Sequence, residues 1–307
     1  FSGDSNFKSK ENIKDNILKI FIIYSVLSII ILTLLNFSGL RLFNSLNMSM
    51  TLISSGGFLP TNSINKVIST NFQKIIFIFS LLISMLNLYL LFNLFNKRIL
   101  IKEHKEDVYL IILSFVFFIL IYFNDYDGLD IAISVISSLA NSGLTLVKSD
   151  NNLSLYFLLI TIIGGSLISN TSGIKLTRFY ILLKITSLEI IRLISPNSVI
   201  NKTIFNSDKK ITDENVKVSF LIFISFFLSL FILSSLLVID NIGFEKSFKL
   251  SILTLTNTVN SEMFDMRNIN FSNLLTSSKI SLILFMIIGK IELISVFLIF
   301  KKILFKD

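Results

Sequence analysis

Residues 51–58 read Thr-Leu-Ile-Ser-Ser-Gly-Gly-Phe and end an apolar segment, 43–58, that is too short to cross a bilayer and too apolar for a solvated loop. An uncharged apolar stretch at 20–40 precedes the segment, and another at 75–95 follows it. A bilayer core requires about 20 apolar residues in a helix. The order of elements is therefore a membrane span, a short apolar helix, a small polar loop and a second span.

The same order occurs twice more along the chain. The further short segments are 129–146 and 244–259, and the spans around them are 108–123, 218–239 and 280–300. Gly57 and Gly143 each lie 14 residues after the opening apolar residue of their segment, whereas the third segment is one residue longer and lacks the glycine. Irregular backbone at membrane depth is tolerated only inside protein or beside a watery cavity. Three re-entrant half-helices therefore predict an all-α integral membrane protein with a lined pore.

The composition agrees with a membrane protein and excludes several enzyme classes. Hydrophobic residues make up 52% of the chain and charged residues 16%, and the mean hydropathy is +0.77. Without cysteine, disulfide frameworks, thiolate nucleophiles, iron–sulfur clusters and Cys-ligated zinc are excluded. His104 is the single histidine, and one histidine makes neither a metal site nor a serine triad. No Walker or dinucleotide motif is present, so we expect a non-enzyme without a cofactor of its own.

The excess of basic residues reports topology. The net charge is +8, and 19 of the 28 Lys and Arg residues fall on one side of the predicted spans. By the positive-inside rule that side is cytoplasmic, and the half-helices enter from outside. The charge therefore gives no reason to expect a nucleic-acid partner.

The loops that follow the half-helices suit a monovalent cation. A descending half-helix points its partially negative C-terminal end toward the middle of the membrane. Backbone carbonyls of an extended loop can replace the hydration shell of a potassium ion, and glycine permits the backbone angles that this requires. Ser55, Ser142 and Thr258 could add hydroxyl oxygens, although small residues also simply let helices pack closely. The candidate filter residues are Ser55, Gly56, Gly57, Asn141, Ser142, Gly143, Asn257, Thr258 and Val259.

Four motifs carry a resemblance to a known family. They are TLISSGGF at 51–58, IGGSLISNTSGIKLTRFYILLK at 163–184, LTNTV at 255–259 and IGKIEL at 288–293. With these motifs the chain resembles the Trk, Ktr and HKT superfamily of potassium transporters, most closely the membrane subunit of bacterial Trk systems. The glycine-rich break followed by Gly-Ile-Lys, with an Arg three residues on, is the most specific of them.

The resemblance implies a fold, an activity and partners. It implies four repeats around one pore, of which the chain shows the last three, at 1–106, 107–195 and 196–307; Phe1 would then mark the cut edge of a longer protein. It implies potassium uptake across the bacterial cytoplasmic (inner) membrane, with filter glycines at Gly57 and Gly143. A homodimer is expected, with a cytosolic nucleotide-binding regulatory subunit on the basic stretch 184–217. Coupling to protons or sodium, and preference for potassium over sodium, stay open.

A gate and a pore charge are also expected. The break at 164–173 resembles the family's intramembrane gating loop, with the residues Gly164, Gly165, Ser166, Gly173 and Lys175. Lys175 and Arg178 are expected just cytoplasmic of the break; a kinked helix without a gating role is the alternative. Charges inside a span are costly and usually face a cavity. Lys290 is therefore expected below the filter as an electrostatic barrier, and Glu292 as the second pore charge. The alternative is that the two lie on different helix faces, with Glu292 held by a neighbouring helix.

Two departures from the family keep other functions open. The chain has Val259-Asn260-Ser261 where the family usually has Gly-Pro-Gly, and Lys290 where it usually has Arg. A valine restricts the backbone, so a non-conducting or regulatory paralogue is one alternative. A polytopic membrane enzyme is another: Asp125-Tyr126-Asp127 could serve metal-dependent glycosyl transfer, although an acidic outer loop is more often a solvated surface.

Overall fold

In the part of the chain that the computed structural model describes, the regular secondary structure is almost entirely helical. The structure describes residues 10–61, 64–90, 104–123, 126–147, 151–195, 203–205, 210–258, 262–264, 266 and 271–291. The principal helices are α1 (Lys10–Phe37), α2 (Leu42–Ser54), α3 (Asn71–Met85), α4 (Lys105–Tyr122), α5 (Gly128–Leu139), α6 (Asn151–Ile163), α7 (Leu176–Ile194), α8 (Asp213–Ile239), α9 (Phe244–Leu255) and α10 (Thr276–Ile291). Within these ranges, extended backbone pairs only in an isolated bridge between Thr203 and Lys210. The predicted all-α fold class is confirmed.

The three predicted half-helices are α2, α5 and α9, with 13, 12 and 12 residues. Each begins after a residue in extended conformation: Arg41 (φ −60°, ψ 140°), Asp127 (φ −59°, ψ 130°) and Gly243 (φ −54°, ψ 142°). Each packs against the crossing helix before it and the crossing helix after it. The repeated unit of span, half-helix and span predicted from the sequence is therefore present three times.

The spacing within the third unit corrects one detail of the sequence interpretation. The first left-handed residue lies 13 positions after the first helical residue in all three units, Leu42 to Ser55, Gly128 to Asn141 and Phe244 to Asn257. The third unit was expected to be one residue longer. That expectation is wrong because α9 begins directly at Phe244, whereas α2 and α5 begin one residue before their opening apolar residue.

Buried serines allow the helices to pack closely. Ser80, Ser138, Ser229 and Ser251 are all buried, and each hydroxyl donates to the carbonyl four residues earlier in its own helix, at 2.5–2.8 Å. A hydroxyl satisfied in this way adds no unpaired polar group to the apolar interior. Small side chains at these positions bring neighbouring backbones together without leaving cavities, as membrane helices require.

The outer faces of the crossing helices are strongly apolar. Phe115 and Leu120 of α4 are 61% and 58% exposed, and Phe231 and Ile232 of α8 are 58% and 54% exposed. Exposed apolar faces of this extent are unfavourable in water and match the hydrocarbon of a bilayer. Two helical stretches, Ile17–Phe37 and Asp213–Ile239, are by themselves long and apolar enough to cross a membrane. The other predicted spans coincide with shorter helices or continue beyond the described residues.

The predicted span at 75–95 is interrupted, which the sequence did not indicate. Helix α3 ends at Met85, and Leu86 is extended (φ −78°, ψ 165°). The backbone groups released at the break bind other elements: Asn87 N–H donates to Asp107 Oδ1 at 2.9 Å and Leu88 N–H to Ile168 O at 3.1 Å. The prediction of an uninterrupted apolar helix was wrong here, because hydrogen bonds to Asp107 and Ile168 replace bonds within the helix.

Candidate functional site

The loops that follow the three half-helices share one backbone geometry. The left-handed residues are Ser55, Asn141 and Asn257, with φ of 52°, 55° and 52°. In each unit the next residue's N–H donates to a carbonyl five positions back, in the pairs Gly56–Thr51 (2.9 Å), Ser142–Ser137 (3.0 Å) and Thr258–Leu253 (2.9 Å). A left-handed residue with this bond is a common helix C-terminal cap. The three half-helices therefore end in the same way, and their loops leave in equivalent directions.

Two of the candidate filter glycines require their residue type. Gly57 and Gly143 both lie two positions after the left-handed cap, are buried, and have φ of 67° and 69°. An L-residue with a side chain adopts this region only with strain, whereas glycine adopts it freely. The third member of the set, Val259, lies outside the described residues. Whether these carbonyls bind an ion stays a prediction.

The polar side chains of the three loops differ in their partners. The Ser142 hydroxyl lies 2.8 Å from the Ser137 hydroxyl, and the Thr258 hydroxyl 2.8 Å from the Thr256 hydroxyl. Ser55 Oγ is buried without a hydrogen-bond partner among the described residues. Among the three, only the Ser55 hydroxyl lacks a hydrogen bond within the described residues, and ion binding by any of the three stays a prediction.

Segment 164–173 folds back on itself between α6 and α7. Its two ends are held together by hydrogen bonds from Ile174 N–H to Ile162 O (3.0 Å) and from Leu176 N–H to Gly165 O (3.1 Å). The segment also packs against the break after α3, because Ser166 N–H donates to Met85 O at 3.0 Å. A Cβ on Gly165 would lie 2.7 Å from Met85 O, so only glycine fits this close approach.

Lys175 organises the segment from inside. It was expected just cytoplasmic of the break, but its side chain turns back into the segment and the residue is only 3% exposed. Its ammonium donates to Ser169 O at 3.1 Å, Ser169 Oγ at 3.3 Å and Thr171 Oγ1 at 3.1 Å, and also to Thr171 O. A buried ammonium is tolerated only when acceptors surround it in this way. Lys175 therefore fixes the folded shape of the segment.

Lys290 connects the segment to the first half-helix. Its ammonium donates to Ser54 O in the last turn of α2 at 2.9 Å and to Asn170 O at 2.6 Å. Asn170 Nδ2 in turn donates to Ile53 O at 2.9 Å. A cation at the C-terminal end of a helix is stabilised by the helix dipole. The ammonium thus occupies the place at the end of α2 where the sequence predicts attraction of a cation. Glu292, the other predicted pore charge, lies outside the described residues.

Sequence reasoning missed Asn170 and Glu106. Glu106 Oε1 accepts from Leu167 N–H at 2.8 Å, so the start of α4 also holds segment 164–173. Asn170 is one of several polar residues in a polar break, and Glu106 lies in a charged loop. Neither position carries a local sequence signal, because each acts through a partner more than 60 residues away.

Gly289 marks a second close approach, where α10 crosses the end of α9. A Cβ on Gly289 would lie 2.1 Å from Leu255 O. We expect Gly289→Ala to lower the unfolding temperature, since overpacking a tight contact costs about 1–3 kcal/mol. Thermal unfolding in detergent measures the change. Gly243→Ala is the matched control, because nothing lies within 4 Å of a Cβ there. Equal shifts for the two variants would contradict the close-packing argument.

The geometry defines a class of protein: a helical membrane protein in which capped re-entrant half-helices and a folded-back intramembrane segment are held together by Asn and Lys side chains. The particular fold is that of the crystal structure of the potassium transporter TrkH from Vibrio parahaemolyticus, with a TM-score of 0.85 at 19% identity over 95% of this chain and 65% of that chain. At that identity the likeness establishes the fold alone. The membrane fold that the sequence resemblance implied is thereby confirmed.

The sequence comparisons agree on the class. No family model matches the chain. An uncharacterized cation transporter of Methanocaldococcus jannaschii is 29% identical over 308 residues, which cover 94% of this chain and 60% of that protein. The chain therefore spans less than two thirds of the length of each of these two proteins. The bacterial origin and the missing first repeat stay predictions.

Proposed function

We propose that this protein conducts potassium ions across a membrane, through a path lined by the loops after α2, α5 and α9. The observation that carries the proposal is the repeated end geometry, with left-handed caps at Ser55, Asn141 and Asn257. Three half-helix C-termini supply negative partial charge, and the loop carbonyls after them can replace ion hydration. The cation-transporter and potassium-transporter names of the two similar proteins support the same substrate class.

The path has a proposed gate below the filter loops. Asn170 Nδ2 of segment 164–173 donates to Ile53 O of α2, and Lys290 Nζ donates both to Ser54 O of α2 and to Asn170 O of the segment. An ammonium there opposes the passage of a second cation by like-charge repulsion. We therefore propose that this arrangement corresponds to the closed state of the pore.

Flux in lipid vesicles tests the proposal. The full-length protein is purified and reconstituted into vesicles that contain potassium on one side of the membrane. A membrane potential is set with an ionophore for another ion, and the movement of rubidium or potassium is then followed. We expect cation flux above that of protein-free vesicles, with potassium and rubidium favoured over lithium. Absence of flux for every monovalent cation, in vesicles that contain folded protein, would overturn the proposal.

A non-conducting paralogue is the second candidate function. The observation that favours it is the ammonium of Lys290, which already occupies the acceptors Ser54 O and Asn170 O at the end of α2. If the protein is a non-conducting paralogue, Lys290→Met shows no cation flux. If the protein is a conducting pore, the same substitution removes the electrostatic barrier and raises the flux.

The remaining proposals rest on the resemblance. They are a bacterial inner-membrane location, a homodimer, and a cytosolic nucleotide-binding subunit on the stretch 184–217. Part of that stretch lies outside the described residues. Size determination in detergent tests the dimer, and affinity purification from solubilised membranes tests the subunit; a monomer without co-purifying protein would contradict both.

A further inference from the structure

The left-handed asparagines at the ends of α5 and α9 bind the crossing helix that follows each of them. Asn141 Nδ2 donates to Thr161 O on α6 at 2.8 Å, and Asn257 Nδ2 donates to Met286 O on α10 at 2.8 Å. Each acceptor lies three residues before a glycine, Gly164 in one helix and Gly289 in the other. The same bridge from filter loop to helix therefore occurs in two units at equivalent positions.

The two bridges lead to different structures. Helix α10 continues through Gly289 to Ile291, so the Asn257 bridge attaches its loop to an unbroken helix. Helix α6 ends at Ile163, and segment 164–173 begins at the next residue. The Asn141 bridge thus attaches the second filter loop to the last turn before the proposed gate.

The other contacts of Asn141 lie at the same junction. The residue is 1% exposed, and its Oδ1 is buried without a hydrogen-bond partner among the described residues. A Cβ built on Gly164 would lie 3.3 Å from that Oδ1, so the amide abuts the first residue of the segment. Its Nδ2 also reaches the Thr258 hydroxyl of the third loop at 3.5 Å. One side chain of the second filter loop therefore contacts the third filter loop, the end of α6 and the start of the segment.

We propose that Asn141 is a positioning residue that couples segment 164–173 to the filter loops, so that the state of the gate and the state of the filter depend on each other. The proposal rests on the proposed conduction function and specifies how its gate is regulated. A movement of Gly164 displaces Thr161 and the amide that binds it, and this shifts the backbone at Asn141. Coupling through a shared element is reciprocal: if closure of the segment favours ion binding in the filter loops, an ion bound there stabilises the closed segment by the same free energy.

Thiol labelling measures the coupling without requiring transport. The chain has no cysteine, so Ser166→Cys introduces a single thiol inside the segment. Ser166 is fully buried and its hydroxyl has no partner among the described residues, which makes the exchange of oxygen for sulfur a small perturbation. A small membrane-permeant maleimide then modifies the thiol only when the segment opens, and its rate reports the opening equilibrium.

Asn141→Gly is the test variant, because glycine keeps the left-handed backbone without strain while the side chain is removed. In the Ser166→Cys background we expect labelling about five- to tenfold faster than in the parent, the change that loss of an ordinary buried hydrogen bond produces. Asn257→Gly is the matched control: it loses an equivalent hydrogen bond, to Met286 O on the unbroken helix α10, and we expect it to leave the labelling rate within about twofold of the parent. An unchanged rate in Asn141→Gly, or an equal rise in both variants, would overturn the coupling.

Potassium separates this proposal from the proposed function. In the parent, added potassium slows labelling, and in Asn141→Gly that effect is lost. If potassium leaves the labelling rate of the parent unchanged although the reconstituted parent conducts potassium, the coupling is rejected and the proposed function stands; if the parent shows no flux, the proposed function is rejected by that separate test. Asn141→Ser provides a second variant, since Ser55 occupies the equivalent position in the first unit. If both Asn141 variants fail to fold while Asn257→Gly folds, Asn141 is a purely structural residue and the coupling is rejected.

Discussion

Deleting residues 166–172 is expected to raise potassium flux more than any single substitution in this protein. The deletion removes the proposed gate together with the acceptors that hold two lysines in place. Lys290 loses Asn170 O, and Lys175 loses the oxygens of Ser169 and Thr171. What remains below the filter loops is an open passage with a less constrained ammonium beside it.

The shortened chain can close because the ends of the deletion are neighbours. A Cβ on Gly173 would lie 3.4 Å from Gly164 Cα, and Leu176 N–H already donates to Gly165 O at 3.1 Å. Joining Gly165 to Gly173 therefore requires little movement of α6 or α7. Circular dichroism and size-exclusion chromatography confirm folding before flux is measured in vesicles. Unchanged or lost flux in the folded deletion variant would contradict the gate.

Lys290→Met provides an independent route to the same result. It removes the positive charge and keeps the length of the side chain, so flux is expected to rise in the same direction. A unit charge roughly 8 Å from a passing ion contributes about 2 kcal/mol at an effective dielectric constant of 20. Lys279→Met is the matched control on the same helix, because Lys279 Nζ also donates to a backbone carbonyl, Ser272 O at 2.9 Å, but far from segment 164–173. An equal rise of flux in Lys290→Met and Lys279→Met would mean that general loosening of α10, and not loss of the barrier charge, causes the effect.

The sequence predicted the repeated units because their signal is local. Apolar length, the glycines at 57 and 143 and the small residues before them are all read along the chain. The cap geometry was not predicted, because residue type alone does not distinguish the left-handed Ser55 from Ser54 in the helix before it. The structure shows that Ser55, Asn141 and Asn257 occupy equivalent positions, and only this register shows that the third unit has the same spacing from helix start to left-handed residue as the other two.

What the sequence could not predict depends on partners distant in the chain. Helix α3 breaks after Met85 without a glycine or proline, because Met85 O accepts from Ser166 N–H and Asn87 N–H donates to Asp107. Lys175 was expected just cytoplasmic of the break, but the folded-back segment offers its side chain four acceptor contacts. A buried charge becomes favourable only when such acceptors are already assembled. Tertiary structure, and not propensity, determined both positions.

Gly143→Ala is expected to abolish selective flux. Gly143 is buried with φ of 69°, directly after the capped end of α5. An L-alanine in the left-handed region costs about 1–2 kcal/mol. The loop relieves that strain by rotating toward negative φ, which turns the neighbouring carbonyls away from the proposed path. Gly57→Ala, at φ of 67° in the first loop, is expected to have the same effect.

Gly39→Ala is the control that distinguishes loss of flux through a distorted filter loop from loss of flux through backbone strain in general. Gly39 also has a positive φ, 88°, and nothing lies within 4 Å of a Cβ there. It connects α1 to α2 outside the filter loops, so its alanine variant carries the same kind of backbone strain with no effect on the carbonyls after the half-helices. Potassium flux and the potassium-to-sodium flux ratio should therefore survive in Gly39→Ala and fall at least about tenfold in Gly143→Ala, the change that about 1.4 kcal/mol produces. If all three alanine variants lose flux together, strain alone explains the loss; if Gly57 and Gly143 tolerate alanine with selectivity intact, ion selection does not take place at these carbonyls.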